Sequence, residues 1–179
     1  MTIMANDSGT GFSGTDRTLF LAAGRLCRAL RSMVAISRAD GVALMLDDPE
    51  AGLRAVAGST AEGLELEYAE QSERDGPAHE SVAADHPVAV DDLEGRGGTA
   101  YARLARRAAP VRAVLAVPVH AGGAVIGALN FYRITPGAWT SDQIAVGQSL
   151  ADTAADLLVR LPVPPPAYDQ DGRGAMTSH

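Results

Sequence analysis

The chain has 179 residues, 46% of them hydrophobic, with a formal charge of −7; this suits one globular domain with a full core, not two domains and not a disordered chain. All 15 basic residues are Arg, which excludes a phosphate-loop lysine and a Schiff-base nucleophile, and an acidic chain without a basic stripe is a poor binder of nucleic acid. No apolar run approaches the roughly 20 residues that span a bilayer, no basic region followed by an apolar stretch marks an export signal, and Cys27 is the only cysteine, so the expected location is the cytoplasm.

Residues 1–14 are rich in Gly, Ser, Thr and Asn and read as a disordered leader. The folded part is expected over residues 15–161. A helix is predicted over 16–37, with Leu19, Ala22, Leu26, Ala29, Leu30, Met33 and Ile36 on one face and Arg17, Arg25, Arg28, Arg31 and Arg38 mostly on the other. Leu19, Leu26 and Met33 are seven apart, which suits either a helix–helix seam or a helix that caps a sheet. Residues 41–47 and 53–57 read as strands joined by an Asp-Pro-Glu-Ala-Gly turn. The segment 64–71 alternates Leu64, Leu66 and Tyr68 with Glu65, Glu67 and Glu70 only in part, and fits a half-exposed strand or a short helix.

Gly76-Pro77 turns into a short helix over 78–83, since proline suits the first helical position. A short strand over 87–90 leads into an acidic loop, and a helix over 100–109 ends at Pro110. Residues 111–133, VRAVLAVPVHAGGAVIGALNFYR, form the organising feature. Two apolar runs flank His120-Ala121-Gly122-Gly123, as in a β-hairpin. The runs are apolar at nearly every position, so both faces are covered and the strands are central. Pro118 lacks a ladder N–H, so regular pairing of the first strand is expected to stop there. Thr140 and Gln143 fit a capping box opening a helix to about residue 161. The small residues on its apolar face, Gly147, Ala151 and Ala154, suit close approach of another helix. Residues 162–179 read as a Pro-rich disordered tail. Hairpin-joined strands with long helices at the ends make the class α+β.

With these elements in view, the sequence resembles a GAF domain. The resemblance covers about residues 15–161 and rests on "DGVALMLDD", "DGPAHESVAADHPVAVDDL", the hairpin and "WTSDQIAVGQSLADTAADLL", in that order and spacing. It is most similar to the actinobacterial kind that often precedes an ANTAR RNA-binding segment. Those domains usually carry Gly-Pro-Cys where this chain has Gly76-Pro77-Ala78, and no three-helix ANTAR segment follows. The resemblance implies a central antiparallel sheet of about five to six strands, with the N- and C-terminal helices on one face and short helices and loops on the other. It also implies a small-molecule pocket on the second face and a homodimer through helices 16–37 and 141–161.

The chemistries found in such domains can be tested against the residues. Cyclic-nucleotide binders are similar in an Asn-Lys…Phe…Asp-Glu signature; here Asn130-Phe131 and Trp139…Asp142-Gln143 replace it, and Asn130 is assigned to packing and backbone hydrogen bonding. Bilin attachment needs a pocket cysteine, and Cys27 lies on the first helix. Haem-binding members use a histidine where this chain has Arg106-Arg107-Ala108-Ala109. His79, Glu80 and His86 match no metal-ligand spacing. Thiol-based sulfoxide reduction needs several cysteines, and Arg103, Arg106 and Arg107 read as a solvated helix face. The expected function is therefore a non-enzymatic, cofactor-free sensory or regulatory module that binds an unidentified small molecule, with no nucleic-acid or membrane partner. The alternative is an interaction module with no ligand. The expected pocket lining is Leu44, Tyr68, His79, Tyr101, Leu104, Val114, Ala116, Leu129 and Phe131, with His79 and Tyr101 as the polar groups that orient the ligand.

Overall fold

A computed structural model describes residues 14–161, and side chains from residue 21 onward. The expected leader over 1–14 and tail over 162–179 therefore lie outside the described residues, apart from Gly14. The elements run α1 (Gly14–Ser37), β1 (Gly41–Asp48), β2 (Gly52–Gly58), α2 (Ala61–Glu73), α3 (Pro77–Ala84), β3 (Val88–Val90), a 3₁₀ turn (Leu93–Gly95), α4 (Thr99–Arg107), β4 (Ala113–Ala121), β5 (Ala124–Arg133) and α5 (Ser141–Arg160). The strands form one five-stranded sheet in the order β2-β1-β5-β4-β3, and every neighbouring pair is antiparallel. The α+β class and the antiparallel sheet agree with the sequence reading.

The hairpin holds the centre because β5 pairs β1 on one side and β4 on the other. Its turn is tighter than the sequence suggests: Ala121 pairs with Ala124, and only Gly122 (φ 58) and Gly123 (φ 80) lie between them. Two successive positive φ angles are what a type I′ turn demands, and glycine supplies them without strain. Pro118 does not end the pairing. It stays in β4 opposite Ala128, and the register shifts only beyond it, between Val119 and His120. Strand β3 reaches no further along β4 than Ala116, so no ladder partner faces Pro118 on that side.

One face of the sheet carries α1 and α5. Leu26, Leu30 and Met33 of α1 and Leu150, Ala151 and Ala154 of α5 bury against Leu44, Leu115, Val117, Leu129 and Phe131. At Gly147 the small-residue face of α5 approaches the sheet. A Cβ on Gly147 would lie 3.2 Å from Leu115 and 3.3 Å from Phe131 and Val117. Leu26 and Met33 are buried in the same core, so α1 caps the sheet with them; the side chain of Leu19 lies outside the described residues. The expected capping box is present: Thr140 Oγ1 accepts from the Gln143 N–H at 3.2 Å, and Gln143 Oε1 accepts from the Thr140 N–H at 2.9 Å.

The second face carries α2, α3 and α4. The ambiguous segment 64–71 is helix. Thr60 caps α2 by accepting from the Gly63 N–H at 3.1 Å, and Gly63, Leu66, Glu67, Ala69 and Glu70 form its buried side. Below α4, Leu66, Tyr101, Leu104, Val111, Val114 and Tyr132 share a second core. A smaller core of Met45, Leu53, Ala78 and Ala128 lies under α3.

Candidate functional site

Helix α2 brings two carboxylates, one turn apart, down onto the sheet. Glu67 and Glu70 are fully buried, as is Asn130 on β5. Asn130 sits between Ala43 of β1 and Ala116 of β4 in register, and these small neighbours leave space for the two acids. The Asn130 amide donates both hydrogens: Nδ2 lies 2.9 Å from Glu67 Oε1 and 3.2 Å from Glu70 Oε1. The other Glu70 oxygen, Oε2, accepts from the Ala78 N–H at 2.9 Å and lies 3.7 Å from His79 Nδ1. Glu70 therefore caps α3 from another helix, which places a carboxyl oxygen at the positive end of that helix. The N-cap residue Gly76 has no side chain to do so, and it must be glycine. Its φ is 127°, and an added Cβ would fall 2.7 Å from Glu70 Oε2.

The two acids differ electrostatically. Burial pushes the Glu67 carboxyl well above the usual carboxylate range, the Glu70 charge pushes it further, and only the Asn130 hydrogen bond opposes them. Burial also raises Glu70, but His79, the Ala78 N–H and Asn130 all favour its anion. Four buried polar atoms of this layer have no partner: Glu67 Oε2, Asn130 Oδ1, Ser81 Oγ and His79 Nδ1.

His79 also faces outward. With Gln71, Arg74 and Val82 it lines one side of a cleft of about 330 Å³, whose other side is Asp47, Glu50 and Leu53 around the β1–β2 turn. Gln71 Oε1 accepts from the Ala55 N–H at 2.9 Å, which leaves its NH₂ group available. The cleft thus combines an apolar floor with carboxylates on the hairpin side and a guanidinium, an amide and an imidazole on the helix side. Such a lining can hold a small polar molecule, and His79 joins it to the buried Glu70.

The expected pocket residues divide between the two faces. Leu44, Leu129 and Phe131 lie in the α1/α5 core. Leu44 pairs with Leu129, and Phe131 pairs with Leu115, so these side chains share the terminal-helix face. A period of two makes a one-residue parity error a change of face, and this corrects their assignment to the pocket. Val114 lies on the second face with Tyr101 and Leu104, and Ala116 adjoins Asn130 there. Tyr68 turns outward on α2, 50% exposed. Tyr101 is not a free orienting group: its hydroxyl donates to Glu80 Oε1 at 2.6 Å, and Arg96 binds the other Glu80 oxygen at 2.6 Å while lying over the Tyr101 ring. Only His79 of the expected set borders the cleft.

Glu67 and Glu70 lie outside the expected site, because a partial alternation with Leu64, Leu66 and Tyr68 leaves strand and helix open and does not mark either acid as buried. The sequence points Asn130 to packing and backbone hydrogen bonding; in the structure its amide binds both acids. The available signal was the spacing Gly63, Leu66/Glu67, Glu70, which is one helical face. Of the expected solvated arginines, Arg103 and Arg107 pair with Glu73 at 2.7 and 3.1 Å, and Arg106 is exposed. Among the described residues, no group of three His, Cys, Asp or Glu side chains could hold a metal ion, and no helix is long and apolar enough to cross a membrane.

The fold is that of several solved domains. A domain of a two-component sensor histidine kinase protein from Sinorhizobium meliloti superposes with a TM-score of 0.62 at 14% identity, covering 77% of this chain and 90% of that one. A type II free methionine-R-sulfoxide reductase from Thermoplasma acidophilum gives 0.59 at 19%, covering 82% and 98%. The GAF-B domain of DevS from Mycobacterium smegmatis gives 0.54 at 20%, covering 76% and 91%. At these identities the likeness is one of fold. No curated protein matches the sequence. The family profile for the GAF domain matches residues 17–158, and the chain belongs to that family.

Proposed function

We propose that this GAF domain is a non-enzymatic sensory or regulatory module. It binds a small polar molecule in the cleft between the β1–β2 turn and helices α2 and α3, and it passes occupancy to the α1/α5 surface of a homodimer or to a partner protein. One observation supports this reading above the others: His79 is shared between the cleft and Glu70, which caps α3 and binds Asn130 of the central strand. A ligand that moves the imidazole acts on a helix terminus and on β5 at once. GAF domains serve in sensor kinases, and the similarity to actinobacterial members found beside ANTAR segments fits a regulatory role. Thiol-based sulfoxide reduction, the chemistry of some neighbours in fold, needs a thiolate and a resolving cysteine. Cys27 has no second cysteine and is half-buried on α1 against the α1/α5 core, away from the cleft.

A thermal-shift screen of metabolites against the wild-type protein and His79→Ala tests the reading. A metabolite that raises the wild-type Tm and has a weaker effect on His79→Ala supports it. An absence of reproducible hits rejects ligand binding and favours an interaction module. That second reading has its own support, because Leu21, Ile36 and Val159 on α1 and α5 are 62%, 59% and 73% exposed.

A further inference from the structure

We infer that Glu67 and Asn130 form a proton-binding site, in which a neutral Glu67 carboxyl closes a cyclic acid–amide pair with Asn130 and holds α2 and α3 on the sheet. Glu67 Oε1 already accepts from Asn130 Nδ2 at 2.9 Å. The other oxygen of each group, Glu67 Oε2 and Asn130 Oδ1, is buried without a partner. With Glu67 ionised both atoms are acceptors, so neither can satisfy the other, and leaving buried polar atoms unpaired is costly. One proton on Glu67 Oε2 makes that atom a donor, the amide oxygen its acceptor, and both orphans are satisfied together.

The surroundings supply no other counter-charge. On α2 the facing group is Glu70, which is itself acidic. On α3 they are His79, which lies beside Glu70, and the neutral Ser81. Glu80 is taken by Tyr101 of α4 and by Arg96. From the sheet come Ala43, Ala116 and Asn130. Among the described residues, the only ionisable cation within ion-pair distance of either buried acid is His79, at 3.7 Å from Glu70. The ligand assigned to this site is thus the proton itself. Burial comes first and the Glu70 charge second in raising the Glu67 carboxyl well above its ordinary value of 4.5.

The consequence is a device sensitive to pH. Loss of the proton leaves two buried anions one turn apart on α2, sharing one amide donor group. Their repulsion and desolvation weaken the seat of α2 on the sheet, and through Glu70 the N-terminus of α3. Both helices wall the cleft, so alkaline pH opens it.

The test uses the full chain labelled with ¹³C at the glutamate carboxyls, titrated by NMR, together with thermal melts across the same pH range. The expected result is one carboxyl that stays protonated at neutral pH, whose resonance is lost in Glu67→Gln. A flattening of the decline of Tm with rising pH in the same variant is also expected. The wild-type titration stands whether or not the variant folds. If every glutamate titrates in the ordinary carboxylate range, Glu67 is ionised beside a buried water and the proposal is overturned. It is also overturned if the late-titrating resonance survives Glu67→Gln and vanishes in Glu70→Gln, or if Glu67→Gln leaves the pH dependence of Tm unchanged.

Discussion

Gly76 shows how much of the site hangs on single atoms. Its φ of 127° is closed to L side chains, and its missing Cβ is the space that Glu70 Oε2 occupies on its way to the Ala78 N–H. Gly76→Ala adds backbone strain to a clash, and we expect a loss of about 2–4 kcal/mol in urea unfolding. A loss below about 0.5 kcal/mol would show that Glu70 swings away freely and that its cap on α3 is weak. The pH dependence at this scale has a definite sign. Both buried acids have folded-state values above their unfolded ones, so the folded protein binds protons that the unfolded chain releases. The stability linked to them is fully present below the ordinary carboxylate range, and it declines as pH rises from there through the folded values. Thermal melts from pH 4 upward should therefore show this contribution falling, whereas the stability linked to Asp92, held down first by its bond to Arg112, is lost only on acidification below the ordinary aspartate value of 3.8. Little of this chemistry was legible in the sequence. A glutamate on a helix is ordinarily solvated, and only the tertiary contact with Asn130 turns Glu67 and Glu70 into core residues.

At the level of elements, legibility follows the strength of local signals. The capping box at Thr140 could be read directly, because both partners lie within four residues. Thr140→Ala removes the acceptor for the Gln143 N–H and should cost about 1 kcal/mol, with a double-mutant cycle against Gln143→Ala showing coupling. Additive losses in that cycle would mean the two bonds do not act as a unit. Helix α2 was ambiguous because its buried side mixes Leu66 with Glu67 and Glu70, which blurs the apolar period. The strands were found but their faces were not. β1 and β5 are apolar on both sides over the residues concerned, so alternation carries no information, and Leu44, Leu129 and Phe131 lie on the face opposite to the one expected. Gly147 marks the same limit for α5. Small residues announce a close approach, but its partner, the sheet at Leu115, Val117 and Phe131, is fixed only by the fold.

At the scale of the whole molecule, the sheet separates two surfaces with different roles in the proposed function. The cleft and the buried acids lie on the α2–α3 side, and the surface proposed for a second copy lies on α1 and α5. The inward residues of those helices are already spent on the core, so a homodimer must use the outward ones. These include the exposed Leu21, Ile36 and Val159, with Arg25, Arg28 and Arg31 exposed on α1 and Asp152 and Asp156 exposed on α5. The two helices carry opposite charge, which suits a two-fold interface in which α1 of one copy meets α5 of the other. Under that arrangement Val159→Glu enters the interface twice. Each buried aliphatic side chain is worth roughly 1.5–3 kcal/mol, so the doubled change should weaken association by about a hundredfold or more. Sedimentation should show wild-type dimers and Val159→Glu monomers at the same concentration, with the melting temperature of the monomer unit barely changed because Val159 contributes nothing to the core. Wild-type protein that sediments as a monomer up to high concentration would remove the homodimer and leave a different partner as the receiver of the signal. If the variant remains dimeric, the copies meet on another surface. Because the sheet lies between the cleft and the proposed interface, a ligand signal has to cross it, and β5, with Asn130 facing α2 and Phe131 facing α5, is one strand that touches both sides.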